Sequence, residues 1–156
     1  HNQYGNLDYG ARFGMHVHAD SEGFITFGSF PTGNFQQSGH VWKVVWQKFA
    51  WADGSLLWTT TVDTGAWGGN STNSIDEIKS DYYNGYIAFY TYCEPGESQW
   101  GGSRTPYIRL LETSTGTIVK ELDVSGDDQY GLWTLCLTDD SIMTQGYGSG
   151  TNTYRI

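Results

Sequence analysis

Aromatic rings set in glycine-rich polar stretches are the most chemically suggestive feature of this chain. Trp67 lies in "TGAWGGNST" (64–72), Trp100 in "CEPGESQWGGSR" (93–104) and Phe35 in "PTGNFQQSGH" (31–40). Glu97, Gln99 and Arg104 accompany Trp100, and Asn34 precedes Phe35. An exposed ring stacks on the C–H face of a pyranose, while amides, acids and a guanidinium take its hydroxyls. These residues are the candidate ligand contacts, and glycans the candidate ligand. The competing reading is that Trp67 and Trp100 fill gaps between packed elements, as large aromatics usually do.

No catalytic constellation is legible. The chain has no G-x-S-x-G and no recognisable Cys–His pair, and "GAWGGN" lacks the lysine and helix of a phosphate loop. Asp127-Asp128 and Asp139-Asp140 are acidic pairs. Glycoside hydrolysis needs two carboxylates facing each other about 5–10 Å apart, which sequence alone does not place. The expectation is therefore a binding protein, not an enzyme, with no catalytic residue and no cofactor. "HVH" sets His16 and His18 on one face of a strand. With His1 or His40 they make a weak metal candidate, and packing or solvent exposure is the preferred reading. Asp20, Asp81 and Asp139 recur before strands and read as turn formers that bond nearby backbone N–H groups.

Charge narrows the partners. Lys and Arg number 8 against 17 Asp and Glu, a net charge of −9, which disfavours nucleic acid and anionic membranes. No apolar run reaches the ~18–20 residues of a spanning helix. The sequence starts at His1 without a methionine, which suits either a form left by signal removal or a fragment. Asn70 opens an N-glycosylation acceptor, "NST". Cys93 and Cys136 could form one disulfide in an oxidising compartment, two buried thiols being the alternative. These features together suit a secreted, extracellular glycoprotein.

The elements that must position such a site are strands. Aromatic residues make up 16% of the chain, Gly is abundant (21) and Pro scarce (3), a balance that favours β-structure. "MHVHADSEGFITFGSF" (15–30), "DEIKSDYYNGYIAFYTY" (76–92) and "TLCLTDDSIMTQGY" (134–147) each read as strand, acidic turn, strand, with Ile25, Ile87 and Ile142 aligned. "VVWQKFAWADGSLLWTTTV" (44–62) sits over "PYIRLLETSTGTIVKELDV" (106–124), both hairpins with tight turns. "TNTYRI" (151–156) begins a third such segment, with Arg155 aligned on Arg109. Strands are expected at 12–19, 23–30, 41–51, 56–62, 74–80, 85–92, 106–113, 117–124, 131–138, 141–147 and 152–156. The whole chain, 1–156, reads as one all-β repeat domain with copies at roughly 20–80, 81–138 and 139–156 plus 1–19. Trp42, Trp46, Trp51, Trp58 and Trp133 fall on these segments and are expected to pack in cores.

"VHADSEGFITFGSF…VVWQKFAWADGSLLWTTTV" resembles the blades of secreted, bacterial-type β-propellers, and "YIRLLETSTGTIVKELDV" is similar to blades of the pyrroloquinoline-quinone type. The resemblance implies four-stranded blades, with the segment 12–19 completing the third blade from the other end of the chain. Three blades are fewer than the ~4–8 of a closed ring, so it also implies an oligomeric ring, a homodimer being favoured. A β-trefoil or β-prism is the alternative architecture. No residue matches the quinone site, so that cofactor is not implied. By analogy with oligomeric propeller lectins, the expected function is a multivalent, lectin-like carbohydrate-binding module. The alternatives are an adhesive subunit of an extracellular fibre, coat or matrix, assembled through blade edges, and a fragment of a larger propeller enzyme.

Overall fold

The computed structural model describes residues 17–32, 41–66, 78–91, 107–124, 132–146 and 150–156. They form three antiparallel sheets, each a meander of consecutive strands. Sheet 1 contains β1 (Val17–Ala19), β2 (Gly23–Thr32), β3 (Val41–Ala50) and β4 (Leu56–Ala66). Sheet 2 contains β5 (Ile78–Tyr83), β6 (Tyr86–Thr91), β7 (Tyr107–Glu112) and β8 (Thr117–Asp123). Sheet 3 contains β9 (Leu132–Leu137), β10 (Ser141–Gly146) and β11 (Thr151–Arg155).

The propeller expectation is overturned. The sheets are open, with four, four and three strands, and none is closed or curled as a propeller blade requires. The error lies in which sheet each leading strand joins. The segment ending at Ala19 does not complete the third unit, because β1 pairs with β2 through Ala19↔Phe24. Likewise β5 pairs with β6 and β9 with β10. The reason is local. Asn84 and Gly85 have φ of 47° and 83°, the left-handed pair of a two-residue hairpin, which joins only adjacent antiparallel strands. At the β1–β2 turn Asp20 accepts from the N–H groups of Glu22 and Gly23 at 2.9 and 3.0 Å. Gly23 is required there, since a Cβ would lie 2.0 Å from the Phe49 carbonyl oxygen.

Alternation along the strands builds two cores on opposite faces of sheet 2. Ile87, Phe89 and Leu111 pack against Ile25, Phe27, Val44, Trp46 and Val62 of sheet 1. Ala88, Tyr90, Ile108 and Leu110 pack against Leu135, Leu137 and Ile142 of sheet 3. Among the described residues neither core joins sheet 3 back to sheet 1. A β-prism would gather three sheets around one core and a trefoil would close a barrel; neither describes a middle sheet buried on both faces. The burial of β6 on both sides explains its continuous apolar run, whereas β10 alternates.

The stacking is front to back, and it shifts two of the alignments read from the sequence. Ile25 faces forward onto sheet 2, while Ile87 and Ile142 face backward onto the preceding sheet. The register places Ile25 with Ala88, each two residues beyond the residue that closes its turn. Arg155 falls on Glu112 and is exposed, whereas Arg109 is buried beneath sheet 1. Arg109 donates to Glu121 and Thr91, each at 2.5 Å, with its guanidinium 5.0 Å from the Tyr107 ring centre.

The recurrent aspartates differ in role. Asp20 is a turn former. Asp81 lies within β5 and accepts from the Leu137 N–H at 2.9 Å, so a carboxylate satisfies a donor on β9, one of the two edge strands of sheet 3. In the third turn Thr138, not Asp139, makes the closing contacts with Ser141. Replacing Asp81 with alanine should destabilise the protein by about 1.5–3 kcal/mol, because the lost acceptor is charged. Urea unfolding of Asp81→Ala measures this; a change within error would show that water replaces the carboxylate.

Candidate functional site

Strand direction brings the turns β1–β2, β3–β4, β5–β6, β7–β8 and β9–β10 together at one end of the sheets. The loop residues singled out from the sequence, Phe35, Asn34, Trp67, Glu97, Gln99, Trp100 and Arg104, fall outside the described residues, as do Asn70, Cys93, His1, His16 and His40. Cys136 is exposed on the outer face of sheet 3. His18 lies between sheets 1 and 2, its ring stacked near Trp46 and Tyr82 and its Nε2 2.9 Å from Ser80 Oγ. Among the described residues no cluster of His, Cys, Asp or Glu is placed to hold a metal ion. Of the strand tryptophans, Trp46 is buried and Trp58 partly so, whereas Trp51 is exposed in the β3–β4 turn.

The described residues instead form a cavity at the short-turn end, between sheets 2 and 3, of about 360 Å³. Tyr83, Asn84 and Tyr86 supply one wall from the β5–β6 turn. Leu110 of β7 and Leu137 of β9 form its floor, and Thr138, Asp139 and Ile156 its far side. Val119 and Lys120 of β8 both line it, although consecutive strand residues point to opposite faces. A bulge resolves this: Leu110 pairs with Lys120 and Leu111 with Ile118, leaving Val119 as the extra residue.

Sheets 1 and 2 show why the cavity exists. Lys48 pairs with Ile25 and Trp58 just as Leu110 pairs with Ala88 and Lys120, and Leu57 is the extra residue of the matching bulge. Between sheets 1 and 2 this notch is filled. The Trp58 indole N–H donates to the Thr113 carbonyl at 3.0 Å, and Lys48 Nζ donates to the same carbonyl at 3.1 Å. Lys48 also reaches Asp20 Oδ2 at 2.8 Å and Glu22 Oε2 at 2.7 Å. Between sheets 2 and 3, Leu110 replaces the lysine and Lys120 replaces the tryptophan. Lys120 Nζ donates to the Arg155 carbonyl at 3.1 Å and leaves the notch unfilled.

The result is a recess with tyrosine rings at its rim, an aliphatic floor, and an amide, a carboxylate, a hydroxyl and an ammonium within reach. It suits a small ligand with one apolar face and several hydroxyls. Its signal lay in the aligned segments 44–62 and 106–124, where a bulky Trp58 stands over Lys120 and Lys48 over Leu110. No family model matches the chain, and comparison with curated proteins and with solved structures gives no match either. The resemblance to propeller repeats is therefore not supported from that side, and the architecture contradicts it.

Proposed function

We propose that the chain is a carbohydrate-binding module whose site is the recess between sheets 2 and 3. The observation that carries this reading is the placement of Tyr83 and Tyr86 beside Asn84, Asp139 and Lys120 around about 360 Å³ of space. The volume is at the small end of ligand pockets, suited to one or two sugar rings. A tyrosine ring takes the C–H face of the sugar, and the polar groups orient its hydroxyls.

The test is a glycan array, followed by titration of the best ligand against three proteins. Wild type should bind. Tyr86→Ala should bind roughly tenfold more weakly or worse, the loss of one stacking contact plus its buried area. Lys120→Trp should abolish binding by restoring the filled notch seen between sheets 1 and 2, while raising stability by about 0.5–2 kcal/mol, as cavity filling does. Binding that survives Lys120→Trp would move the site elsewhere, and a wild type that binds no glycan would overturn the reading.

A further inference from the structure

The recess has a filled counterpart, and the filling shows what the recess lacks. All three sheets carry one backbone contact beside their first turn. The Trp51 N–H donates to the Glu22 carbonyl at 3.1 Å, that of Thr113 to Gly85 at 2.8 Å, and that of Ile156 to Asp140 at 3.0 Å. Ile156, on the far side of the recess, therefore stands in sheet 3 where Thr113 stands in sheet 2. Between sheets 1 and 2 the Thr113 carbonyl accepts two N–H bonds, from the Trp58 indole and from Lys48 Nζ. Both donors change between sheets 2 and 3. Leu110 has nothing to donate, and Lys120 Nζ turns to the Arg155 carbonyl instead. The Ile156 carbonyl is left with no donor among the described residues. A ligand that covers this carbonyl displaces its water, so it must supply a donor or lose affinity.

We infer that the recess selects a sugar carrying an acetamido group, an inference that rests on the recess being a sugar site. The amide meets three features of the walls. Its N–H supplies to the Ile156 carbonyl the bond that Trp58 and Lys48 give to Thr113. Its methyl group lies on the buried floor of Leu110 and Leu137. Its carbonyl accepts from the Lys120 ammonium, which uses one of three N–H groups on Arg155. A hydroxyl in its place could meet the Ile156 carbonyl but would leave the leucines bare. A free amine fits less well. The Lys48 ammonium is held by Asp20 and Glu22, whose places in the β5–β6 turn are taken by Tyr83 and Gly85. Asp139 is the one carboxylate side chain lining the recess, and Lys120 opposes it with a charge that repels an ammonium.

On a glycan array the strongest binders should carry an acetamido group. Titration calorimetry then compares the best of them with two analogues in which that group is a free amine or a hydroxyl. The acetamido form should bind about tenfold more tightly than either, the worth of one hydrogen bond and a buried methyl group. In the complex, nuclear Overhauser contacts should join the acetyl methyl to the methyl groups of Leu110 and Leu137. A best ligand without the amide, or an analogue of equal affinity, would overturn this inference and leave the sugar-site reading standing. An acetyl methyl remote from both leucines would overturn it as well. A protein that binds no glycan at all overturns the sugar-site reading itself, and this inference with it.

Discussion

Replacing Trp46 with alanine should destabilise the protein by about 3–5 kcal/mol, the range for deleting a fully buried large aromatic. Trp46 has no exposed surface and lies at the centre of the core between sheets 1 and 2. Its ring meets Phe27 at 4.9 Å, Phe89 at 5.2 Å and His18 at 6.1 Å, so it touches three strands on two sheets. The loss has two parts, the transfer free energy of the indole and a void that stiff sheets cannot collapse to fill. Trp46→Phe separates the parts. The indole N–H has no hydrogen-bond partner, so phenylalanine forfeits volume but no bond and should lose clearly less. Chemical denaturation of the three proteins decides this. Equal losses for Ala and Phe would mean that the indole has a role beyond packing.

The second large effect belongs to Lys48. A lysine with no exposed surface is tolerated only when its charge is met. Here two carboxylates and a carbonyl meet it, tying the β1–β2 turn of sheet 1 to the β7–β8 turn of sheet 2. Lys48→Ala should destabilise by about 3–5 kcal/mol, as expected for breaking a buried pair from one side. Asp20 carries most of that loss, since the Glu22 side chain is 62% exposed and regains water. Lys48→Met, which keeps the stem and its packing, should lose less.

The same pair sets a pH dependence. Burial works against the charged form of Asp20, but the Lys48 ammonium and the N–H groups of Glu22 and Gly23 outweigh it, and the carboxyl is held below its ordinary 3.8. Burial likewise opposes the Lys48 charge, but Asp20 and Glu22 prevail and raise it above 10.5. A lowered acid stabilises fully above its unfolded value, and that contribution fades as pH falls through the folded one. A raised base stabilises fully below its unfolded value and fades as pH rises through the folded one. The pair's contribution should therefore be constant between these limits and decline on both sides. Lys48→Met should flatten the alkaline decline. An unchanged alkaline limb in that variant would assign it to other groups.

Much of this fold is legible in the sequence, and the part that is not has a definite physical cause. Period-two alternation and tight turns locate the strands to within a few residues, because both are local properties. Which strands share a sheet is a matter of pairing, and the repeat alignment misassigned it. Asn84-Gly85 carried the needed information, since a two-residue turn with two left-handed residues makes 86–91 a direct neighbour of 78–83. Ile25 and Ile87 look equivalent as letters, yet a shift of one residue turns them to opposite faces. The recess was hidden for another reason. It is a difference between two interfaces, visible only when Trp58 and Lys120 are compared by volume, whereas loop aromatics attract attention one at a time.

Strand β6 has a consequence for how this sequence can change over time. Its odd residues serve one core and its even residues the other, with only Tyr86, at the rim of the recess, partly exposed. It resembles a stretch of text read in two overlapping frames, in which no letter is spare. Inserting or deleting one residue between Tyr86 and Thr91 would exchange Ile87 and Phe89 with Ala88 and Tyr90, scrambling both interfaces in a single event. Drift should therefore collect in sheet 3, whose outer side chains answer only to solvent, while β6 stays nearly frozen.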